Sequence, residues 1–556
     1  MSRKSMKSLR NVLDRAKTVI SMGTTSASTS ALQKPDRLPF KMPKLKEEDI
    51  KPEEGDANKN DDAAGTSTAG FDTEGEKSTQ TSETLNEFLE ERKHLLNQMF
   101  RHSYDNSVGK ACDCHAEGAT KTTRCYDCPY YPISCSDCYI TAHKTLPHHW
   151  AEVWQSEMGY FRRHDIGTLQ DDIAAINLGH EGKPCLSKYA SNVNFILVAL
   201  NGIHATKIRF CQCRGEKRWE QLMESRLFPS TMTQPTSAFM FDVLHQYHLQ
   251  HLASKASAHD FAASLRMLTD NVDYFKVPDM AHQLRMVMRI WRLLVATKRL
   301  GQGHNISSKL PHQREFIVHC PSCIDPYLNA EQGWEDTSKE YRHLNQTQFT
   351  ADGNHHSNRY LKNTDPDDIS LFEGKAYFPE DSEYQKYIKR LPQNTKEKVP
   401  CEHLKAISAL NRKKFKNMDI TGIVNIQCSH VFIKSMVDLQ LGEKFANTDY
   451  AFSHAIQNTT LGRSKGILID SDEKFALRCA HLFSYDISCG YSDHAAERFR
   501  ENFPNEASFL DNTDWLIPLV HVQNHRDNRT YPFSQYKECA GHFQGETAEQ
   551  PWIELN

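Results

Sequence analysis

Between positions 112 and 149 the chain carries Cys112-x-Cys114, Cys125-x2-Cys128, Cys135-x2-Cys138, His143 and His149. Pairs one or two residues apart let a tight knuckle aim two ligand atoms at one ion, and eight N/S ligands satisfy two tetrahedral zinc ions. Loops with so few apolar residues hold no fold unaided, so metal-binding free energy becomes folding free energy. A saturated zinc leaves no open position for water, which makes the role structural rather than hydrolytic. His149 is the expected eighth ligand, although His148 beside it has the same chemistry.

Two further pairs, Cys211-x-Cys213 and Cys320-x2-Cys323, would make another four-thiolate site if folding joined them. Cys401, His403, Cys428 and His430 form a looser set for which ordinary packing is the expectation. Sixteen Cys, many in tight pairs and with no secretory signal, fit reduced thiolates inside a cell better than a disulfide framework. Lys plus Arg (67) nearly balances Asp plus Glu (71), so any nucleic-acid surface is a local patch rather than a whole-molecule field. No apolar run reaches the roughly 20 residues that span a bilayer; the nearest is the stretch around Phe195 to Leu200.

The chain divides by pattern into a multidomain α+β protein. Residues 1–83, polar and poor in large apolar side chains, read as a disordered arm whose first turns carry Arg3, Lys4, Lys7, Arg10, Arg15 and Lys17. A lead-in amphipathic helix falls within 84–111, on Leu85, Phe88, Leu89, Leu95, Leu96 and Met99. The zinc module, treble-clef or B-box-like, occupies 112–154, and a strand-rich extension 155–235. Residues 236–340 read as a helical linker region, with Phe241, Leu244, Tyr247, Leu284, Val287, Trp291 and Leu294 at helical spacing. From 341 to 556 short apolar strands alternate with helical stretches, as in an α/β domain.

Several blocks resemble one family. "CYDCPYYPISCSDCYITAHKTLPHHWAEVW", "IAAINLGHEGKPC", "GIHATKIRFCQC", "RLFPSTMTQPTSAF" and "SKASAHDF" are similar to the CxC-like cysteine cluster associated with KDZ (Kyakuja-Dileera-Zisupton) transposases. "TADGNHHSNRYLKN", "SMVDLQLGEKFANTDYAF", "SYDISCGYSDHAAERF" and "IPLVHVQNH" through "QGETAEQPWIELN" resemble, in the same order, the blocks of the KDZ transposase domain. The resemblance implies a ribonuclease-H-like fold with an Asp-Asp-Glu active site. It assigns the first acid to Asp352, the second to Asp486 and the third to Glu546 or Glu549, with Glu546 matching the family's "DGE" block more closely. Three such carboxylates suit Mg2+ or Mn2+, hard ions that take oxygen ligands and in pairs support phosphodiester chemistry.

Each acid also has an ordinary structural role open to it. Asp352-Gly353-Asn354 suits a hairpin turn, Asp486 a helix cap, and Asp449 of "NTDYAF" a structural or supporting position. His521 and His525 fall on or just after a strand, where a hydrogen-bonded core histidine is the expectation. The chain departs from the family at His355, and Pro551 falls inside the helix expected to bear the third acid, at a cost of about 3 kcal/mol in a helix interior. The family's members continue past this point, so the domain reads as incomplete. The implied function is a nuclear DNA transposase acting on transposon ends, with no membrane partner and with homo-oligomeric assembly left open. The alternatives are an inactive relic that keeps only a zinc-dependent DNA- or protein-binding module, and a B-box- or RING-like interaction protein.

Overall fold

The computed structural model describes residues 80–169, 175–213, 215–300, 316–325, 329–361, 368–391, 417–440, 444–459, 479–522, 537–540, 543 and 545–552. The polar arm up to residue 79, Cys401, His403 and His525 lie outside them. By internal contacts the chain divides at Leu89. Helix α1 (Gln80–Glu90) straddles that boundary, and α2 (Arg92–Arg101) follows it. The expected amphipathic helix is therefore two short ones, and Leu85, Phe88, Leu89, Leu95, Leu96 and Met99 are all exposed.

The first module is a three-stranded antiparallel sheet, β1 (Thr123–Cys125), β2 (Ala151–Gln155) and β3 (Tyr160–His164), with helix α3 (Ser136–Ala142) inserted between β1 and β2. Its core is small: Tyr139, Ile140, Ala151 and Ile166 around Cys125. The module runs past the expected boundary at 154 because β3 pairs along its whole length with β2.

The second sheet has the order β4-β6-β5-β8-β7, from β4 (Ile176–Asn177), β5 (Asn192–Ala199), β6 (Gly202–Arg209), β7 (Leu227–Pro229) and β8 (Ser237–Met240). Its strand β5 is covered on both sides, which is why "FILVA" is an unbroken apolar run rather than an alternating one. Phe195 and Leu197 meet Ile208, Phe210 and Leu222 of α4 (Arg218–Glu224) on one face. On the other, Val198, Ile203 and Phe239 pack against Leu244, Phe261 and Leu284 from α5 (Phe241–Ser254), α6 (Ala258–Thr269) and α7 (Ala281–Arg299). Ser257 caps α6 by accepting from the Asp260 N–H at 3.1 Å. These helices are thus the second layer of this sheet and not a linker. The helical period was legible; the surface it covers was not.

The C-terminal domain is built on a five-stranded mixed sheet of order β13-β12-β9-β14-β15. Strand β9 (Thr347–Asn354) is central, with the small pair β10 (Arg359–Tyr360) and β11 (Met418–Ile420) apart from it. After α8 (Asp381–Arg390), the strands β12 (Gly422–Cys428) and β13 (Ile433–Leu439) form a hairpin antiparallel to β9. Helix α9 (Phe445–Gln457) precedes β14 (His481–Ser484), which lies parallel to β9. Then follow α10 (Ser488–Tyr491), α11 (Ala495–Asn502), α12 (Ala507–Leu510), β15 (Thr513–Leu516), parallel to β14, and α13 (Leu519–Val522). The segment "LVHV" is helical, so His521 sits on a helical turn rather than a strand.

Alternation along β9 and β14 separates two faces. Phe349, Ala351 and Phe483 join Phe452, Phe499 and Phe509 in an aromatic core under α9, α11 and α12. Opposite them, Leu482 packs with Leu516, Ala540 and Phe543, and Ile423 with Met436 and Trp552, so the chain's last described segment covers this second face. Among the described residues no helix is long and apolar enough to cross a membrane.

Candidate metal centres and carboxylate edge

The eight ligand candidates of the first module gather into two sets, and the sets interleave. Cys112 and Cys114 meet Cys135 and Cys138; Cys125 and Cys128 meet His143 and His149. In each set all four ligand atoms lie within 4.8 Å of one another. Ligands about 2.3 Å from a tetrahedral zinc stand about 3.8 Å apart along an edge. Cys112 Sγ to Cys138 Sγ is 4.0 Å and Cys114 Sγ to Cys135 Sγ is 3.8 Å. In the other set His149 Nδ1 is 3.4 Å from the sulfurs of both Cys125 and Cys128, and His143 Nε2 is 3.6 Å from Cys128 Sγ. His149, not His148, faces the thiols.

The surroundings orient these groups as metal ligands need. His143 Nδ1 donates to the Tyr139 carbonyl at 3.0 Å, which leaves Nε2 as the free electron pair facing Cys128. Backbone N–H groups donate to thiol sulfur at both knuckles, Cys128 to Cys125 and Cys135 to Cys112, each at 3.3 Å. The N–H groups of Cys114 and Cys135 hold the Cys112 thiol down to about 6, while burial raises those of Cys125 and Cys135 and the neighbouring Cys135 raises that of Cys138.

The pairs Cys211/Cys213 and Cys320/Cys323 do not meet each other. Cys211 and Cys213 gather instead with His180 and Cys185, and Cys320 and Cys323 with Cys428 and His430. A four-thiolate site was the natural sum of two pairs, but each pair found a mixed partner set nearer in the fold. In the third set Cys185 Sγ is 3.3 Å from Cys213 Sγ, and His180 Nε2 is 3.1 Å from Cys211 Sγ. The loop that turns His180 inward has three consecutive left-handed residues before Gly182, and at Gly179 a Cβ would stand 2.9 Å from that of Cys211. The signal for this set was the "HEGKPC" spacing ahead of Cys-x-Cys.

In the C-terminal domain Asp352 lies inside β9, two residues beyond Thr350, so the Asp-Gly-Asn segment is strand and not a turn. Asp486 lies two residues beyond Ser484, and Thr350 and Ser484 are paired partners on adjacent parallel strands. Both acids therefore emerge from the same end of the sheet. Asp486 does not cap α10: that position is Ile487, and no side chain caps it. Asn425 pairs directly with Asp352 across β12 and is fully buried. Its Oδ1 has no hydrogen-bond partner among the described residues. The polar Asn425, set with Gln427 in the largely apolar "GIVNIQC", was the one sequence hint of it.

The C-terminal segment closes over this end. Thr547 Oγ1 stands 3.1 Å from Thr350 Oγ1, Gln427 Nε2 donates to the Thr547 carbonyl, and Trp552 Nε1 donates to Asp352 Oδ2 at 2.6 Å. Gly545, at φ +74°, lies so close to Ser484 that a Cβ would come within 2.2 Å of its Oγ. Residues Glu546–Glu549 form one 3-10 turn rather than a helix interior, and Pro551 falls after it in a turn, where its missing N–H costs little. The Glu546 side chain is outside the described residues. Glu549 is exposed, with its carboxylate 3.6 Å from His521 Nε2. Asp449 is remote from this edge in role: fully buried in α9, it accepts from Arg498 at 2.7 and 3.1 Å.

Residues 345–556 match the family described as Kyakuja-Dileera-Zisupton transposase, and residues 169–273 the CxC2-like cysteine cluster associated with KDZ transposases. Two segments of the chain are thus similar to a KDZ transposase domain and to its associated cysteine cluster. The KDZ domain match begins just before β9 and takes in both Asp352 and Asp486, while the cluster match contains the third ligand set and the double-layered sheet that frames it. No curated protein and no solved structure matches the chain significantly.

Proposed function

We propose that this transposase-derived chain is a metal-dependent DNA strand transferase of ribonuclease-H-like fold, acting in the nucleus on transposon ends. The observation that carries the reading is the emergence of Asp352 and Asp486 at one end of adjacent parallel strands, in a sheet whose order and directions suit that fold. The third acid is Glu546, whose backbone lies between Gly545 on Ser484 and Thr547 on Thr350, whereas Glu549 is engaged beside His521. The buried Asn425 amide oxygen next to Asp352 adds a hard oxygen donor of the kind Mg2+ or Mn2+ prefers. Such ions would stabilise charge on the attacking and leaving oxygens at phosphorus. Asp352 and Asp486 would hold them, with Asn425 as a neighbouring oxygen donor, and the C-terminal turn would bring up the third carboxylate. The interleaved zinc module, with a structural ion in each set, would present DNA to this edge.

One observation favours an inactive relic that retains binding: the Trp552 indole already donates to Asp352. A carboxylate has about four lone-pair positions, so one indole hydrogen bond does not by itself use up its capacity to bind an ion. Nicking of transposon-end DNA with Mg2+ or Mn2+, abolished by Asp486→Ala and by Asp352→Asn while DNA binding persists, is the expected result. Binding without any nicking by the unaltered chain would refute the catalytic reading.

A further inference from the structure

We propose that Cys320, Cys323, Cys428 and His430 hold a structural zinc ion that clips the segment ahead of the KDZ domain onto the β12–β13 hairpin. Their ligand atoms lie within 4.8 Å of one another although they come from positions about a hundred residues apart. Cys323 Sγ stands 3.6 Å from His430 Nδ1, close to the edge of a zinc tetrahedron with one nitrogen ligand. Cys320 and Cys428 are 5% and 1% exposed, while His430 reaches them from the surface.

Both ligand pairs sit on backbones built to converge. Cys428-x-His430 forms the tip of the hairpin, where the Val431 N–H donates to the Cys428 carbonyl at 2.9 Å and the Cys428 N–H to that of Phe432 at 3.0 Å. Val431 has φ +69°, a conformation that a β-branched residue adopts only when its surroundings impose it. An ion gripping Cys428 and His430 on one side of that turn is such an imposition. On the other side Asn329 staples the Cys320-x2-Cys323 knuckle: its Nδ2 donates to the carbonyls of Pro321 and Cys323 at 3.1 and 2.8 Å, and its Oδ1 accepts from the Asp325 N–H at 2.7 Å.

Ordinary packing of buried thiols does not account for an exposed imidazole turned onto them. Binding releases three thiol protons and leaves a neutral imidazole as fourth ligand, the Cys3His set of many structural zinc sites. The clip lies at the start of β9, since Cys428 pairs with Phe349 while Asp352 pairs with Asn425 farther along. It would therefore fix the register of β12 against the strand that bears Asp352, and it stands whether or not the carboxylate edge is catalytic.

The test uses the full chain expressed in zinc-supplemented medium, with ions counted by native mass spectrometry and elemental analysis. Filling of all four sets gives four zinc per chain. Cys320→Ser/Cys323→Ser should lose one, and Cys211→Ser/Cys213→Ser a different one, so that combining them loses two. Because His430 is exposed, His430→Ala should fold while losing or weakening the same ion, and His430→Cys should restore it with a cobalt spectrum shifted towards four thiolates. An unchanged zinc count in both Cys320→Ser/Cys323→Ser and His430→Ala overturns the proposal. So does a Cys320–Cys323 disulfide in the freshly isolated chain.

Discussion

Replacing Gly545 by alanine tests whether the C-terminal turn is seated on the carboxylate edge by close contact. The residue has φ +74°, where a side chain costs about 1 kcal/mol relative to glycine. The new Cβ would also stand 2.2 Å from Ser484 Oγ, 3.1 Å from Ser484 Cβ and 3.2 Å from Pro518 Cα. Ser484 ends β14 and is 1% exposed, so its hydroxyl has no open space to swing into. Overpacking of this kind costs about 1–3 kcal/mol, and the lower entropy of alanine in the unfolded chain returns about 0.5 kcal/mol. The net is about 2–3 kcal/mol, borne by the local docking of residues 545–552. A global melt of a multidomain chain is not one transition, so the fitting assay is hydrogen exchange followed by mass spectrometry on peptides covering β9, β14 and 545–552. At a factor of ten per 1.4 kcal/mol, exchange there should accelerate roughly 30- to 150-fold while β5 and β6 are unaffected. Gly545→Ala/Ser484→Gly should recover the steric share and keep the backbone share. Exchange within twofold of the parent, or no coupling between the two positions, would refute the idea that contact with Ser484 seats the turn.

Three further outcomes are expected. His149→Ala should cost the first module one zinc, whereas His148→Ala should keep the full complement; equal behaviour of the two would show that the eighth ligand is misassigned. Asp449→Ala strands Arg498, whose side chain is only 24% exposed, and should destabilise the C-terminal domain by about 3–5 kcal/mol, read as a lower urea midpoint that Arg498→Leu partly restores. Burial in α9 holds His454 down to about 4, below its ordinary 6.5. Its contribution to stability is therefore complete above pH 6.5 and lost as pH falls towards 4, so unfolding midpoints of the parent should drop more steeply over that window than those of His454→Gln. Parallel curves would remove His454 as the cause.

What could be read from the residues was what depends on short-range spacing. Cys125-x2-Cys128 announces a knuckle because the geometry is local, and Leu284 and Val287 announce a buried helical stripe for the same reason. The division of eight ligands into interleaved sets was not legible, since nothing in the spacing says that Cys112 should meet Cys138 rather than Cys128. His180 was missed because a histidine five residues from Cys185 looks like any other loop histidine, and Cys428 and His430 were grouped with Cys401 and His403 because nothing local says that Cys320 and Cys323, about a hundred residues earlier, meet them. Asp352 and its place on a first strand were read through resemblance, but its partner was not, because Asn425 pairs across from it some seventy residues away. The covering turn at Gly545 was similarly invisible, because a glycine's reason for being there is the neighbour it lets in.

The first cysteine-rich module and the sheet after it meet at a joint with unusual dependence on one knuckle. Asp127, between Cys125 and Cys128, accepts from the Trp150 N–H at 2.7 Å and from Asn201 Nδ2 at 3.0 Å, while the Trp150 indole donates to the Asn201 carbonyl and stacks on His204 with centroids 4.0 Å apart. The two bodies are thus welded rather than strung on a leash. The module is therefore held at a set angle to its neighbour, and if the Cys125 knuckle holds a metal ion, a chelator that removes it should loosen the joint as well as the module.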